Sequence, residues 1–151
     1  MRKFLSLLGL FTFPSVAAAQ SPFVGVWSLE FPVSTRIIDG VATVVTGTGH
    51  VTFAVRGDSL IGQLVTDPVE GERPRLPLRL AGLVGRASTV LESRRDGTVN
   101  LHGEERPILV VSTWRLTAQQ DSLIGTVELR VEGFDVPDQG AQPVKGARQR
   151  P

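Results

Sequence analysis

The stretch "FVGVWSLEF", residues 23–31, sets the pattern for the chain. Phe23, Trp27, Leu29 and Phe31 fall on alternate positions with Gly25, whereas a valine, a serine or a glutamate stands between them. Side chains of a β-strand point alternately to its two faces, so this alternation is typical of a strand with one buried face. The pattern predicts a half-buried strand that ends at Pro32, because proline cannot donate to a sheet.

The same alternation or a β-branched run recurs along the chain, and no long window has the three-and-four spacing of a helix. Asp39-Gly40 and Asp96-Gly97 each separate two such runs and predict tight hairpin turns, because glycine and aspartate tolerate positive φ. Short turns can connect all the segments. We therefore predict an all-β fold, an antiparallel up-and-down barrel of eight to ten strands, with a β-sandwich or an open curled sheet as the alternative.

Gly25-Val26-Trp27, in the first strand, resembles the Gly-x-Trp signature of lipocalins and related calycin barrels. In that family the tryptophan plugs one end of the barrel, and an arginine from a late strand packs across it. The resemblance implies a barrel whose interior can hold an apolar small molecule. The second lipocalin signature needs a tyrosine, which this chain lacks. The candidate arginines, Arg130 and Arg115, both alternate with the apolar positions of their strands, which places them on the solvated face.

The chain divides into three segments by composition. Residues 1–19 have the charged start, the apolar run Phe4 to Phe13 and the Ala17-Ala18-Ala19 end of a secretory signal peptide. Residues 20–132 are predicted to form the barrel, with an exposed loop at 67–75. Residues 133–151, rich in Gly, Pro and Gln, are predicted to be a disordered tail with a basic end. The predicted location is therefore the periplasm or the extracellular space.

The tetrapeptide Gly57-Asp58-Ser59-Leu60 matches the nucleophile block of the GDSL esterases. The stretch recurs, however: "GDSLIGQL" at 57–64 corresponds to "QDSLIGTV" at 120–127. A nucleophile is not expected twice, no Asp-x-x-His follows to supply a base, and a strand follows instead of a helix. We interpret Ser59 as a turn residue. The paired strand glycines, Gly62 and Gly125, predict similar bends in one closed sheet.

Few residues have the chemistry of a reactive site. His50 and His102 are the only histidines, and each is predicted at a strand edge beside glycine, so no metal site is predicted. The chain has no cysteine, and removal of the signal peptide leaves a net charge of about −1. That charge and the scarcity of aromatic residues disfavour nucleic acid as a partner and an outer-membrane barrel as the fold.

The leading functional prediction is an exported barrel that binds a small, mostly apolar molecule without catalysis and without a cofactor. The residues predicted to line the ligand site are the large inward-facing ones, which are Trp27, Phe53, Trp114 and Leu129. The alternative is a structural or protein-interaction module of the cell envelope. The two differ in whether the inward face encloses a cavity or is filled by its own side chains. Hydrolysis is a third hypothesis.

Overall fold

A computed structural model describes residues 20–38, 41–71, 74–135 and 139–150. Within these residues the chain forms eight antiparallel strands and no helix. Each strand pairs with the next, and the last pairs with the first, so the sheet closes into an up-and-down barrel. The predicted all-β barrel is confirmed, at the lower end of the predicted strand number, and the sandwich alternative is wrong. The strands are β1 (Gly25–Ile38), β2 (Val41–Arg56), β3 (Ser59–Thr66), β4 (Leu78–Leu83), β5 (Ser88–Leu101), β6 (Glu104–Gln119), β7 (Ser122–Glu132) and β8 (Gln142–Arg148).

The alternation of β1 directs its large side chains into the barrel. Trp27, Leu29 and Phe31 are buried, and Phe23, just before the strand, is buried with them. Ser28 and Glu30 between them are exposed. The inward residues of the other strands complete one hydrophobic core, which includes Val51, Phe53, Leu60, Leu64, Leu80, Leu91, Trp114, Leu116, Leu123, Val127 and Val144. Burial of these apolar side chains is the main stabilising term for a chain without disulfides.

Pro32 does not end β1, contrary to the prediction from its missing N–H. The strand continues to Ile38, and its register with β2 shifts between Pro32 and Ser34. Val33 is therefore the extra residue of a β-bulge, a place where a sheet tolerates proline. At this bulge, Arg75 donates a hydrogen bond to the carbonyl of Val33.

The two copies of the repeat begin with equivalent hairpin turns, as predicted. Gly57-Asp58 joins β2 to β3 with φ of 63° at Gly57, and Arg56 pairs with Ser59 across the turn. Gln120-Asp121 joins β6 to β7 with φ of 54° at Gln120. Ser59 is the first residue of β3, and its hydroxyl lies 3.3 Å from an Asp58 carboxylate oxygen. The sharp turns reverse the chain. Gly62, within β3, instead leaves room for the Phe53 ring, because a Cβ at this position would lie 2.5 Å from that ring.

One predicted turn is misplaced. Asp96-Gly97 lies within β5, paired with Leu109 and Ile108, and the chain reverses at His102-Gly103 instead. Both residues of that turn have positive φ, 53° and 89°, which is the conformation of a type I′ turn. Two acceptable turn dipeptides stand six residues apart, and the longer β5–β6 ladder favours the second. The turn predicted at Asp39-Gly40 lies outside the described residues, although Ile38 and Val41 pair on either side of it.

The prediction of a disordered tail is wrong for residues 142–148, which form β8. This strand pairs with β7 on one side and with β1 on the other, where Trp27 is opposite Arg148. The Gly- and Pro-rich composition hid a strand of seven residues with one buried apolar side chain, Val144. Asp121 holds the end of this strand through ion pairs with Arg148 at 3.3 Å and Arg150 at 2.8 Å. The hydrogen bond from Arg150, more than any other contact, holds the pKa of Asp121 below its usual value.

The two ends of the barrel differ. We call the end with the turns at 57–58 and 120–121 the plugged end, since Trp27 lies there. The other, the loop end, has the connections 67–77 and 133–141 and the far parts of the long hairpins β1–β2 and β5–β6. The predicted loop 67–75 is exposed over most of its described residues.

The predicted signal peptide, residues 1–19, lies outside the described residues. In the part of the chain that the structure describes, no helix is long and apolar enough to cross a membrane.

Candidate functional site

The plugged end is sealed by Trp27. Its indole Nε1 donates a hydrogen bond of 2.7 Å to the Phe23 carbonyl, and the guanidinium of Arg148 lies 4.2 Å from the ring centroid. Arg148 also donates to the carbonyls of Val24 and Pro22, each at 2.6 Å. Phe53 meets Phe23 edge to face, with 6.3 Å between ring centroids. Trp27 and Phe53 are therefore core residues of the plugged end. Neither of them lines the cavity at the loop end, which is described below.

The arginine that covers Trp27 is neither of the two candidates named from the sequence. Arg130 pairs with Glu132 at 2.8 Å and Arg115 with Glu128 at 3.1 Å, all on the solvated face. Arg148, on β8, covers the ring instead. It was not a candidate because residues 133–151 were predicted to be disordered. A guanidinium over an indole face is attracted by the ring quadrupole, and its N–H groups here also satisfy two carbonyls.

The loop end contains a small cavity of about 60 Å³ inside the barrel. Trp114 forms part of its wall and packs against Phe31, with ring centroids 5.7 Å apart. Leu129, which retains 39% exposure, lies at the mouth. The structure thus brings two of the four predicted site residues, Trp114 and Leu129, to one cavity and leaves Trp27 and Phe53 out of it. The described lining residues are Phe31, Pro32, Val33, Leu64, Thr66, Arg75, Leu76, Leu78, Ser93, Arg95, Val110, Ser112, Trp114, Val127 and Leu129.

One wall of the cavity is polar. Ser93 and Ser112 are buried, and their hydroxyl oxygens lie 2.5 Å apart across β5 and β6. The indole Nε1 of Trp114 donates to the Ser112 hydroxyl at 2.8 Å. These contacts satisfy the buried polar atoms of all three residues and fix the plane of the Trp114 ring. The Trp114 ring therefore lines the cavity in a defined orientation.

Two arginines lie at the cavity mouth. Arg75 comes from the connection before β4, and its Nη1 donates to the Val33 carbonyl at the bulge. Arg95 projects from β5, two residues beyond Ser93 on the inward side. Partial burial of its guanidinium lowers the pKa of Arg95, and repulsion by the charge of Arg75 lowers it further. The residue as a whole is still exposed, which is expected of a head group at an opening.

Sequence reasoning missed four residues of this site: Ser93, Arg95, Ser112 and Arg75. The period of two was a usable signal for three of them, since Leu91, Ser93 and Arg95 share a face, as do Ser112 and Trp114. Nothing local could have placed Arg75, because its position depends on how the connection before β4 crosses the end of the barrel.

The histidines do not form a site with each other. His50 lies within β2, opposite Ser28 and Val65, and borders a shallow outer groove together with Asp67 and Lys145. His102 is the first residue of the β5–β6 turn. Among the described residues, no group of three or more His, Cys, Asp or Glu side chains is arranged to hold a metal ion.

A closed eight-stranded antiparallel barrel, plugged at one end and hollow near the other, is the class that this architecture defines. No protein-family model matches the sequence, and no curated protein matches it. The chain is similar in structure to the crystal structure of Rv2717c from M. tuberculosis, with a TM-score of 0.51 and 16% sequence identity. The similarity covers 86% of this chain and 94% of that one. At this identity it supports the fold, a small β-barrel, and no further property.

Proposed function

We propose that this chain is an exported, lipocalin-like barrel that binds a small, mostly apolar molecule at its loop end without catalysis. The observation that carries the proposal is the cavity beside Trp114, whose floor is formed by apolar side chains such as Leu64 and Val127. The lipocalin-like arrangement is supported by Arg148, which covers Trp27 from the last strand.

The size of the cavity limits what can enter. A volume of about 60 Å³ is well below the ~150 Å³ that holds a benzene molecule. The floor therefore takes the end of a chain or a small branched group, and the rest of the ligand lies in the mouth beside Leu129. With a cavity cost of about 24 cal/mol per Å³, filling the space would contribute on the order of 1–1.5 kcal/mol. Most of the affinity must then come from contacts at the mouth.

A titration with 1-octanol tests the proposal. Since Trp114 lines the cavity and Trp27 does not, we expect a saturable change in tryptophan emission, with one site per chain, that disappears in Trp114→Phe. Leu129→Phe narrows the mouth and should weaken binding. Arg130→Phe, the next residue on the solvated face, is the matched control and should bind as the wild type does. Absence of any saturable change, or a change that persists in Trp114→Phe, would contradict a site at the loop end.

The alternative, an interaction module of the cell envelope, is favoured by one surface feature. Leu83 and Val90 are 69% and 56% exposed, and both border a groove on the outside of the barrel near the plugged end. Apolar side chains that share an exposed groove are common where proteins meet. If the octanol titration fails, Leu83→Ser and Val90→Thr should show whether this surface mediates association, with sedimentation as the measurement.

A further inference from the structure

The polar wall of the cavity, formed by Ser93, Ser112 and Trp114, has more protons to donate than acceptors to receive them. Its three side chains have three donor protons, one on the indole nitrogen and one on each hydroxyl. They form two hydrogen bonds, one from the Trp114 indole to the Ser112 hydroxyl and one between the two hydroxyls. Each polar atom of the wall therefore has a partner. One hydroxyl proton nevertheless has no acceptor among the described residues.

Two other buried donors of the barrel are matched by carbonyl acceptors. Thr89, which is buried like the two serines, donates to the carbonyl of Leu83 at 2.7 Å. The indole of Trp27 donates to the carbonyl of Phe23. A carbonyl accepts a proton and has none of its own, whereas a hydroxyl that accepts one still has its own to donate. The surplus arises because the indole of Trp114 donates to a hydroxyl instead of a carbonyl.

The surplus proton is on one of the two serines. If Trp114 donates to Ser112 and Ser112 donates to Ser93, each bond strengthens the next, and the surplus proton is on Ser93. If Ser93 donates to Ser112 instead, the surplus proton is on Ser112. Both serines line the cavity and are only 4% and 3% exposed. In either arrangement an acceptor can reach the proton only from the cavity.

A similar hydroxyl pair lies on the outer face of the same two strands. Ser88 in β5 is opposite Thr117 in β6, and their hydroxyl oxygens lie 2.9 Å apart. This pair is exposed, so water accepts its surplus proton. Ser93 and Ser112 have the same pairing without access to bulk water. Since a buried donor without an acceptor is unfavourable, the contents of the cavity must supply the acceptor for the inner pair.

The strand register places the serine pair just above the apolar floor. Ser112 is opposite Leu129, at the mouth, and Trp114, two residues deeper, is opposite Val127. Two residues along a strand span about 6.6 Å. A ligand that fills the floor therefore has the atom beside the serines only a few bonds from its buried end.

We infer that the ligand has a carbonyl oxygen near its buried end and that the Ser93–Ser112 pair donates a hydrogen bond to this oxygen. The inference rests on the proposed function, because it specifies the class of ligand for the same cavity. Water can accept the same proton, since a polar cavity of about 10–15 Å³ is large enough for one molecule. A hydrocarbon that displaces this water loses the bond, whereas a carbonyl replaces it. The cavity therefore selects carbonyl compounds over hydrocarbons of the same shape.

The test uses 2-octanone, because the stretching band of a carbonyl moves to lower wavenumber when its oxygen accepts a hydrogen bond. Infrared difference spectra between the unlabelled and the carbon-13-labelled ketone isolate this band. Bound to the wild type, the ketone should absorb below its position in hexane. The shift should persist in Trp114→Phe, where the two hydroxyls still have one surplus proton, and should disappear in Trp114→Phe/Ser93→Ala/Ser112→Ala. Trp114→Phe/Ser88→Ala/Thr117→Val, which changes the outer pair, is the matched control and should keep the shift.

Affinities provide a second measurement. The compound 2-methyl-1-octene has the shape of 2-octanone, with a methylene group in place of the carbonyl oxygen. Relative to Trp114→Phe, the loss of both inner hydroxyls should weaken binding of 2-octanone about three- to tenfold, the range for one neutral hydrogen bond. It should not weaken binding of the alkene. Calorimetric titration measures both affinities, and the comparison of each compound with itself cancels its cost of leaving water.

The wild-type spectrum tests the inference without any variant, and urea unfolding shows whether each variant is folded. The inference is wrong if the bound ketone absorbs as it does in hexane, if the shift persists without the inner hydroxyls, or if their loss weakens both compounds equally. It is also wrong if 1-octanol binds and 2-octanone does not. In each of these cases binding of 1-octanol leaves the proposed apolar site in place. If neither 1-octanol nor 2-octanone binds, the proposed function fails together with this inference.

Discussion

At the residue scale, the repeated hairpin places a glycine and a glutamine in one backbone conformation. Gly57 has φ of 63° and Gln120 has φ of 54°, each at the first position of a two-residue turn. A left-handed conformation costs a side-chain-bearing residue about 1–2 kcal/mol, whereas glycine adopts it freely. The second copy of the repeat therefore keeps its turn at some cost to stability.

The pair of turns gives a reciprocal prediction. Gln120→Gly should raise the free energy of unfolding by about 0.5–1 kcal/mol, and Gly57→Gln should lower it by about 1 kcal/mol. Urea unfolding of the two variants measures both effects. Gln119→Gly, one residue earlier and at the end of β6, is the control and should destabilise, because Gln119 does not have the positive φ that glycine would relieve and glycine is unfavourable in a strand. The strain argument is wrong if Gln120→Gly destabilises as much as the control.

The contact between Arg148 and Trp27 predicts a second set of stabilities. Trp27→Ala should lower the free energy of unfolding by about 3–5 kcal/mol, the usual range for a buried aromatic side chain. Arg148→Ala loses the ring contact and two charged hydrogen bonds and should lower it by about 2 kcal/mol. Arg130→Ala, on the solvated face, should change it by less than about 0.5 kcal/mol. Equal effects of the two arginine variants, measured by chemical denaturation, would disprove a special role for Arg148.

At the scale of elements, β8 decides whether the sheet is closed. It contributes four register pairs to β1 and six to β7, and without it both of those strands have an unpaired edge. Exposed edges of long strands promote association between chains. The seven residues of β8 are therefore needed to close the sheet, although their composition is not typical of a strand.

A truncation tests this role of β8. A chain of residues 20–132 should lose cooperative unfolding and aggregate, because the barrel opens between β7 and β1. A chain of residues 20–149, which keeps β8 and differs from a 20–151 chain only by the last two residues, should unfold cooperatively with modest loss of stability. Circular dichroism during heating and light scattering follow both properties. A sharp transition in the 20–132 chain would show that the barrel is complete without β8.

At the scale of the whole molecule, the predicted export signal ends just before the barrel begins. Pro22 already accepts a hydrogen bond from Arg148, so cleavage after Ala19 would leave every described contact of the plugged end in place. Expression of the full chain in a bacterium with a secretion pathway should yield an exported protein with Gln20 at its N-terminus, open or cyclised. Mass spectrometry of the purified protein measures this directly. A protein that retains Met1 inside the cell would refute the prediction, and Ala17→Arg with Ala19→Arg provides the uncleaved control.

The amino-acid sequence alone determined the properties that depend on neighbouring residues. A period of two predicted strand structure before residue 133 and the inward position of Trp27, and turn chemistry predicted the reversal at Gly57-Asp58. The same local chemistry was ambiguous where two suitable dipeptides competed, at Asp96-Gly97 and His102-Gly103, since only the length of the pairing between β5 and β6 separates them.

The tertiary structure decided the properties that depend on residues far apart in the chain. Closure joins β8 to β1, more than a hundred residues away, and this pairing places Arg148 over Trp27. The meeting of Arg75 with Arg95 depends on the path of a connection across the loop end, and the cavity depends on how completely inward side chains fill the barrel. Strand pairing and the filling of the barrel interior both depend on many residues that lie far apart in the sequence. No single stretch of sequence therefore determines them.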